Sequence, residues 1–178
     1  MKMNSLQALL EEQIKDLYSA ENQLVKALPK MAKRATSPAL RSAFTSHLAE
    51  TKGHVARLQE IGANIGIKLG GKKCKAMEGL IKEGGEVLEA DGMDAVIDAA
   101  LVAAAQRVEH YEISAYGTAR AISERLGNKQ AVKLLQQTLD EESAADTKLT
   151  KICVGELFAE AARGEEEMVQ DGRRSSRR

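Results

Sequence analysis

The sequence predicts an all-α fold, a bundle of four long helices with one long crossover between the second and the third. Its 178 residues are 43% hydrophobic but only 3% aromatic, with 2 Pro and no Trp, a composition typical of helix formers. Apolar residues recur at steps of three and four along four segments of roughly 30 residues, each about 45 Å long as a helix. These lengths favour the ferritin-like arrangement of a four-helix bundle; an up-down bundle with an extra helix is the competing topology.

The first two helices have recognisable ends. The first is predicted to begin near Ser5 and to finish before Thr36, with Pro29 kinking it or removing a hydrogen bond in its last turns. Ser37 precedes Pro38, a cap followed by proline at the first helical position, so the second helix is predicted to start there and to fade at Gly66. The two form a tight antiparallel pair.

The crossover and the second helix pair follow. Residues 66–75 are predicted to be a loop, and Met77 to Ala90 a short helix interrupted at Gly84 and Gly85. The third and fourth long helices are predicted over residues 93–126 and 129–162. Residues 1–163 would then form the bundle domain, and residues 164–178 a disordered charged tail, because they have no apolar period and carry opposed acidic and basic blocks.

Charge and composition exclude several partners. The 26 Lys+Arg match the 26 Asp+Glu, so polyanion binding is not expected as the main function, and the terminal arginines are interpreted as a solvated end rather than a nucleic-acid contact. No apolar run approaches the roughly 18 residues that cross a bilayer. Because the N-terminal segment lacks a signal-peptide pattern and the two cysteines form no CxxC pair, the expected location is the reducing cytoplasm.

Polar residues interrupt the apolar stripe of every long helix near its midpoint, where a packed bundle favours leucine. They are Glu21 on the first helix, His47, Glu50 and His54 on the second, Glu109 and Glu112 on the third, and Glu142 and Asp146 on the fourth.

This shared acidic layer predicts a cation in the core. One glutamate at a stripe edge can extend to water, but several facing carboxylates cost several kcal/mol per unpaired charge. No Lys or Arg occupies the stripes at that level. Oxygen-rich ligands with one or two imidazoles favour iron or manganese, and the lack of cysteine ligands argues against structural zinc.

At these residues the chain resembles the YciE/YciF group of bacterial stress proteins, a ferritin-like family related to rubrerythrins. The resemblance covers about residues 4–155 and is carried by the segments DLYSAENQLVKALPKMA, HLAETKGHVARL, CKAMEGLIKEG, AAAQRVEHYEISAYGT and LLQQTLDEESAADTKLT. It implies a homodimeric bundle with a carboxylate-bridged dinuclear site holding two iron ions, or alternatively manganese.

The ligands that the resemblance implies depart from the rubrerythrin pattern at two places. Gly53 occupies the position expected for the histidine of the second helix, so His54 is preferred as the ligand and His47 is the rival. On the fourth helix Asp146 stands where rubrerythrins have histidine, which would leave one imidazole instead of two. The predicted metal ligands are therefore Glu21, Glu50, His54, Glu109, Glu112, Glu142 and Asp146.

The expected function is that of a stress-associated protein whose dinuclear iron or manganese centre reduces peroxide or O2, or oxidises ferrous ion. A small-molecule oxidant is then the partner besides a second copy of the chain. The alternative is a non-enzymatic helical stress or interaction protein with a structural or vestigial metal site. A storage cage would need a high-order shell.

Overall fold

The computed structural model describes residues 3–175 and is helical along most of that length. The long helices are α1 (Leu6–Arg34), α2 (Pro38–Asn64), α4 (Asp94–Arg125) and α5 (Lys129–Ile152), and the crossover carries α3 (Lys75–Leu88). One π-helical turn, Cys153–Leu157, joins α5 to α6 (Phe158–Ser175). Among the described residues, no helix is both long and apolar enough to span a membrane.

The helices pack as the predicted bundle. Helix α1 pairs with α2 and α4 with α5, while contacts between α1 and α4 and between α2 and α5 close the ring. Helix α3 lies outside, against α1 and α4, so the chain between α2 and α4 returns along the bundle. This is the four-helix bundle with one long crossover that the sequence predicts.

The helix ends show how the local sequence sets these boundaries. The Ser5 hydroxyl caps α1 by accepting from Ala8 N at 3.1 Å, and the Ser37 hydroxyl caps α2 by accepting from Leu40 N at 3.2 Å. Helix α4 stops at Gly127, whose φ of 73° is the left-handed conformation that glycine adopts without a Cβ penalty. The predicted boundaries of the first three long helices are confirmed to within a few residues, whereas the fourth, predicted over residues 129–162, gives way to the π-helical turn after Ile152.

Two local expectations differ from the structure, whereas α1 contains Pro29 and ends at Arg34, as predicted. Helix α3 runs without interruption through Gly84 and Gly85. The predicted disordered tail is also wrong for residues 164–175, which belong to α6; residues 176–178 lie outside the described part. Helix α6 continues directly from the π-helical turn, a connection that the composition of the tail alone does not show.

The turn between α1 and α2 is tied to α4 by a buried aspartate. Asp98, 1% exposed, accepts from Thr36 N at 3.0 Å, from the Thr36 hydroxyl at 2.7 Å and from Ser37 N at 2.6 Å. The Ser37 hydroxyl also donates to Glu156 in the π-helical turn, at 2.8 Å. Because buried backbone N–H groups need acceptors, Asp98 fixes one end of the bundle.

The bundle core is divided into two apolar clusters. One contains Leu24, Phe44, Leu101 and Leu149 among others, and the second contains Leu10, Leu58, Tyr116 and Leu135 among others. On each long helix these two sets are separated by the residues that the sequence analysis identified as polar interruptions. The polar layer therefore lies at the middle of the bundle.

Candidate metal centre

Six side chains from all four bundle helices meet in this middle layer and form two overlapping groups. The first group is His47, Glu109, Glu112 and Glu142; the second is Glu21, His54 and Glu142. Within each group one ligand-type atom per residue lies within 4.8 Å of the others, and Glu142 belongs to both. Each of these side chains is buried, so the groups could hold metal ions away from bulk water.

The two imidazoles lie on α2, two turns apart, and both face the carboxylates. His54 Nδ1 lies 3.0 Å from Glu142 Oε1 and 3.4 Å from Glu21 Oε1. His47 Nε2 lies 3.5 Å from Glu109 Oε1 and 3.6 Å from Glu142 Oε2. The sequence analysis treated the two histidines as rivals, whereas the structure brings both into the layer and thereby supplies a second imidazole from α2 rather than α5.

Each imidazole is held from behind by a partly exposed glutamate. His54 Nε2 is 2.9 Å from Glu141, whose carboxylate also accepts two hydrogen bonds from Arg57, at 2.6 and 2.9 Å. His47 Nδ1 is 3.2 Å from Glu50. A carboxylate behind a histidine selects its tautomer and orientation, so each ring directs its other nitrogen toward the buried layer.

Two of the predicted ligands lie outside both groups. The side chain of Glu50 is 43% exposed and contacts the outer nitrogen of His47. Asp146 accepts from Gln106 Nε2 at 2.9 Å and lies 3.5 Å from the exposed His110. The other five predicted residues, Glu21, His54, Glu109, Glu112 and Glu142, are brought together by the fold.

The sequence analysis did not identify Glu141 and Arg57. Arg57 follows His54 by one helical turn, and Glu141 precedes Glu142 on another helix. No pattern within one helix shows that these two residues meet, because the contact depends on the register between α2 and α5. A basic residue one turn from a stripe histidine was the only sequence signal.

Burial dominates the acid–base properties of the carboxylates. Desolvation raises the pKa values of Glu109 and Glu112 well above the usual range, and nearby carboxylates add to the effect. Desolvation also raises the pKa of Glu21, although His54 and the Tyr116 hydroxyl that donates to Glu21 oppose the shift. Without a cation, the layer therefore retains protons.

The pKa values of both histidines shift in the direction that favours the charged imidazole. Burial alone would lower the pKa of His54, but contacts with Glu142 and Glu21 outweigh it and raise the pKa to about 10. Burial likewise opposes the rise at His47, where Glu50, Glu109 and Glu142 raise the pKa to about 9. Behind His54, burial is outweighed by Arg57 and His54, which lower the pKa of Glu141 to about 2.

A known protein family matches nearly the whole chain. Residues 5–162 match the family described as a domain of unknown function, DUF892. The chain belongs to this family. It is 44% identical over 162 residues to Protein YciF of Escherichia coli strain K12, covering 90% of this chain and 98% of YciF.

Solved structures agree with this assignment. The crystal structure of the E. coli stress protein YciF superposes with a TM-score of 0.83 at 44% identity, over 85% of this chain and 96% of YciF. YcfI from Rhodopseudomonas palustris gives a TM-score of 0.81 at 44% identity, over 84% of this chain and 95% of that one.

A more distant similarity concerns the fold alone. A two-domain protein from Anabaena variabilis with a ferritin-like domain superposes with a TM-score of 0.58 at 12% identity. The match covers 87% of this chain and 39% of that protein. The predicted YciE/YciF resemblance and the ferritin-like fold class are confirmed.

Proposed function

We propose that the buried layer holds two iron ions, or two manganese ions, in a stress-associated protein. The supporting observation is the set of polar atoms that lack a partner. Among the described residues, eight buried side-chain N or O atoms make no hydrogen bond, and seven of them belong to Glu21, His54, Glu109, Glu112 and Glu142. Buried polar groups are otherwise almost always paired, so this concentration supports a layer that binds cations.

The charges of the layer fit two divalent ions. Its ligand-type side chains are four carboxylates, Glu21, Glu109, Glu112 and Glu142, and two imidazoles. Four negative charges balance two doubly charged cations when both imidazoles are neutral. Hard carboxylate oxygens with a nitrogen donor for each metal suit iron and manganese, and neither group contains a cysteine.

The two groups suggest which residues would hold each ion. His47, Glu109 and Glu112 would bind one metal, Glu21 and His54 the other, and Glu142 would serve both. Glu50 and Glu141 would orient the imidazoles, and the Tyr116 hydroxyl would hold one oxygen of Glu21 while the second oxygen stays free to bind.

The proposed chemistry is two-electron reduction of peroxide or O2, or oxidation of ferrous ion. A bound reduced metal pair supplies the two electrons. The protein contributes a layer enclosed between two apolar clusters, which limits the access of water, and carboxylates that can accept or release protons because burial raises their pKa values. YciF is described as a stress protein, and we extend that association to this chain. Homodimer formation and a cytoplasmic location stay predictions.

Metal analysis of Glu142→Ala tests the centre. The unsubstituted protein, purified without added metal, should contain close to two iron or manganese ions per chain. Glu142→Ala should lose both because this carboxylate belongs to both groups, yet it should stay folded because the metal-free core loses a buried charge. Asp140→Ala is the matched control: Asp140 is exposed on the same helix and bonds only to Gln136.

Peroxide consumption by the ferrous-loaded protein separates the enzymatic proposal from the structural alternative. Turnover that is lost in Glu142→Ala and kept in Asp140→Ala supports the proposed activity. Two bound metals without turnover would favour a structural site, and a protein that binds no iron or manganese would contradict the proposal altogether.

A further inference from the structure

A cavity of about 140 Å³ lies between α2 and α5 and leads from the surface to the buried layer. Its outer lining includes the exposed Glu50 and Lys148, and its inner lining includes His47 and Glu109, which are 7% and 3% exposed. Since His47 and Glu109 belong to the first metal group, the cavity ends at that group. The Glu21–His54 side of the layer is fully buried and does not line it.

The polar groups of this cavity match a cation. The carboxyl groups of Glu50, Glu109 and Glu141 line it, together with the His47 imidazole and the Lys148 ammonium. Glu109 Oε2 at the inner end is buried and has no hydrogen-bond partner. These groups offer an arriving cation a series of oxygen and nitrogen donors between the surface and the buried layer.

We propose that this cavity is the route by which divalent metal ions reach the buried centre. The inference rests on the proposed function and adds the path and the order of loading. The ion passes Glu50 and Glu141 at the outer part and reaches His47 and Glu109 first. The His47 group therefore fills before the Glu21–His54 group, which receives its ion through the shared Glu142.

Closing the passage is the first test. Ala145 lines the cavity on α5, so Ala145→Leu should fill part of it, whereas Thr147→Leu places the same side chain at an exposed position that does not line the cavity. Stopped-flow absorbance would follow uptake of Co(II), added alone to the metal-free full-length protein. We expect Ala145→Leu to bind the same final number of ions as Thr147→Leu but about tenfold more slowly.

The charge of the passage is the second test. Lys148→Glu replaces the exposed ammonium of the lining by a carboxylate, and Lys151→Glu makes the same change one turn away, at an exposed residue outside the cavity. Lys148→Glu should speed Co(II) uptake by about two- to tenfold, and added salt should reduce this gain. Lys151→Glu should behave as the unsubstituted protein does.

The possible results distinguish failure of the proposed entry route from failure of the proposed metal centre. Equal uptake rates for Ala145→Leu and Thr147→Leu, with normal final binding, would overturn the route and leave the proposed function intact. A change of rate with Lys151→Glu as large as that with Lys148→Glu would overturn the part of the proposal that concerns local charge. No Co(II), iron or manganese binding by the unsubstituted protein would overturn the proposed function itself.

Discussion

Glu50 and Glu141 have equivalent roles beside the two buried histidines. Each is a partly exposed glutamate that contacts the outer nitrogen of a buried histidine, His47 for Glu50 and His54 for Glu141. Neither belongs to the buried groups, so their contribution to metal binding would act through the imidazole. This arrangement makes them positioning residues rather than ligands, and it can be tested apart from ligation.

Glu141→Gln should weaken binding of one metal by about 10- to 100-fold, the usual effect of losing a carboxylate behind a metal-binding histidine. Titration with Mn(II) measures the affinity, and ¹⁵N NMR of the His54 ring reports its tautomer. If Glu141 had a merely structural role, Glu141→Gln would leave that tautomer unchanged. Glu50→Gln should affect the other metal and the His47 ring. Asp140→Asn, one residue from Glu141 and bonded only to Gln136, is the control; a ring signal unaltered by Glu141→Gln would contradict the assignment.

Helical periodicity explains which individual residues could be predicted. His47 and His54 are seven residues apart, which places them within about 20° on a helix, so both share the face that the stripe analysis selected. Glu50 lies roughly 60° from His47 by the same count, at the edge of the stripe. The sequence period does not separate an edge position from a core position, and the packing of α5 against α2 decides the matter.

Asp98 shows that a pattern within one helix does not predict which other element its side chain contacts. It lies eleven residues before Glu109 and therefore on nearly the same face of α4, so the stripe analysis could have identified it as a buried acid. Its partners are backbone N–H groups of the turn between α1 and α2, which no pattern in α4 predicts. A buried carboxylate can thus hold a turn at one end of the bundle, apart from the buried polar layer at its middle.

Asp98→Ala should destabilise the protein by about 2 kcal/mol, because it leaves the N–H of the buried Ser37 without its acceptor and removes the hydrogen bonds from Thr36. Urea denaturation measures the change. Asp91→Ala, at an exposed position in the loop before α4, should change stability by less than about 0.5 kcal/mol. Equal effects of the two substitutions would mean that Asp98 does not hold the turn.

The sequence predicts the four-helix bundle correctly, but it does not predict the helical tail or the contacts made within the buried polar layer. Four long amphipathic segments with clear ends determine a bundle, because each apolar stripe must be buried against the others. The tail was predicted to be disordered because it has no apolar period and carries opposed charge blocks, yet α6 continues directly from the π-helical turn, in which Leu157 is fully buried, and contacts α4. Residues 165–170 are exposed, so this segment is helical as the extension of a helix whose buried residues lie upstream, which its own composition does not show.

The protonation of the buried layer links folding of the whole molecule to pH. Raised folded-state pKa values at Glu21, Glu109 and Glu112, and values of about 9 and 10 at His47 and His54, mean that the folded metal-free protein binds more protons than the unfolded chain. The associated stability is fully present below the unfolded pKa values and is lost as pH rises through the folded ones. The pKa values of Glu50 and Glu141 are lowered, so their contribution to stability changes only at more acidic pH and is constant above about pH 5.

The melting temperature of the metal-free protein should therefore fall between pH 5 and pH 8, by about 5 °C or more if the loss reaches 2 kcal/mol. Metal binding needs the deprotonated ligands and strengthens over the same range, so the rise in melting temperature caused by Mn(II) should be largest at pH 8. Thermal melts followed by circular dichroism, with and without Mn(II), measure both trends.

Glu142→Ala serves as the control, since its melting temperature should show no rise with Mn(II) at any pH. A metal-free melting temperature that climbs with pH would contradict the shared protonation of the layer, and equal Mn(II) effects at pH 5 and pH 8 would contradict binding through these carboxylates.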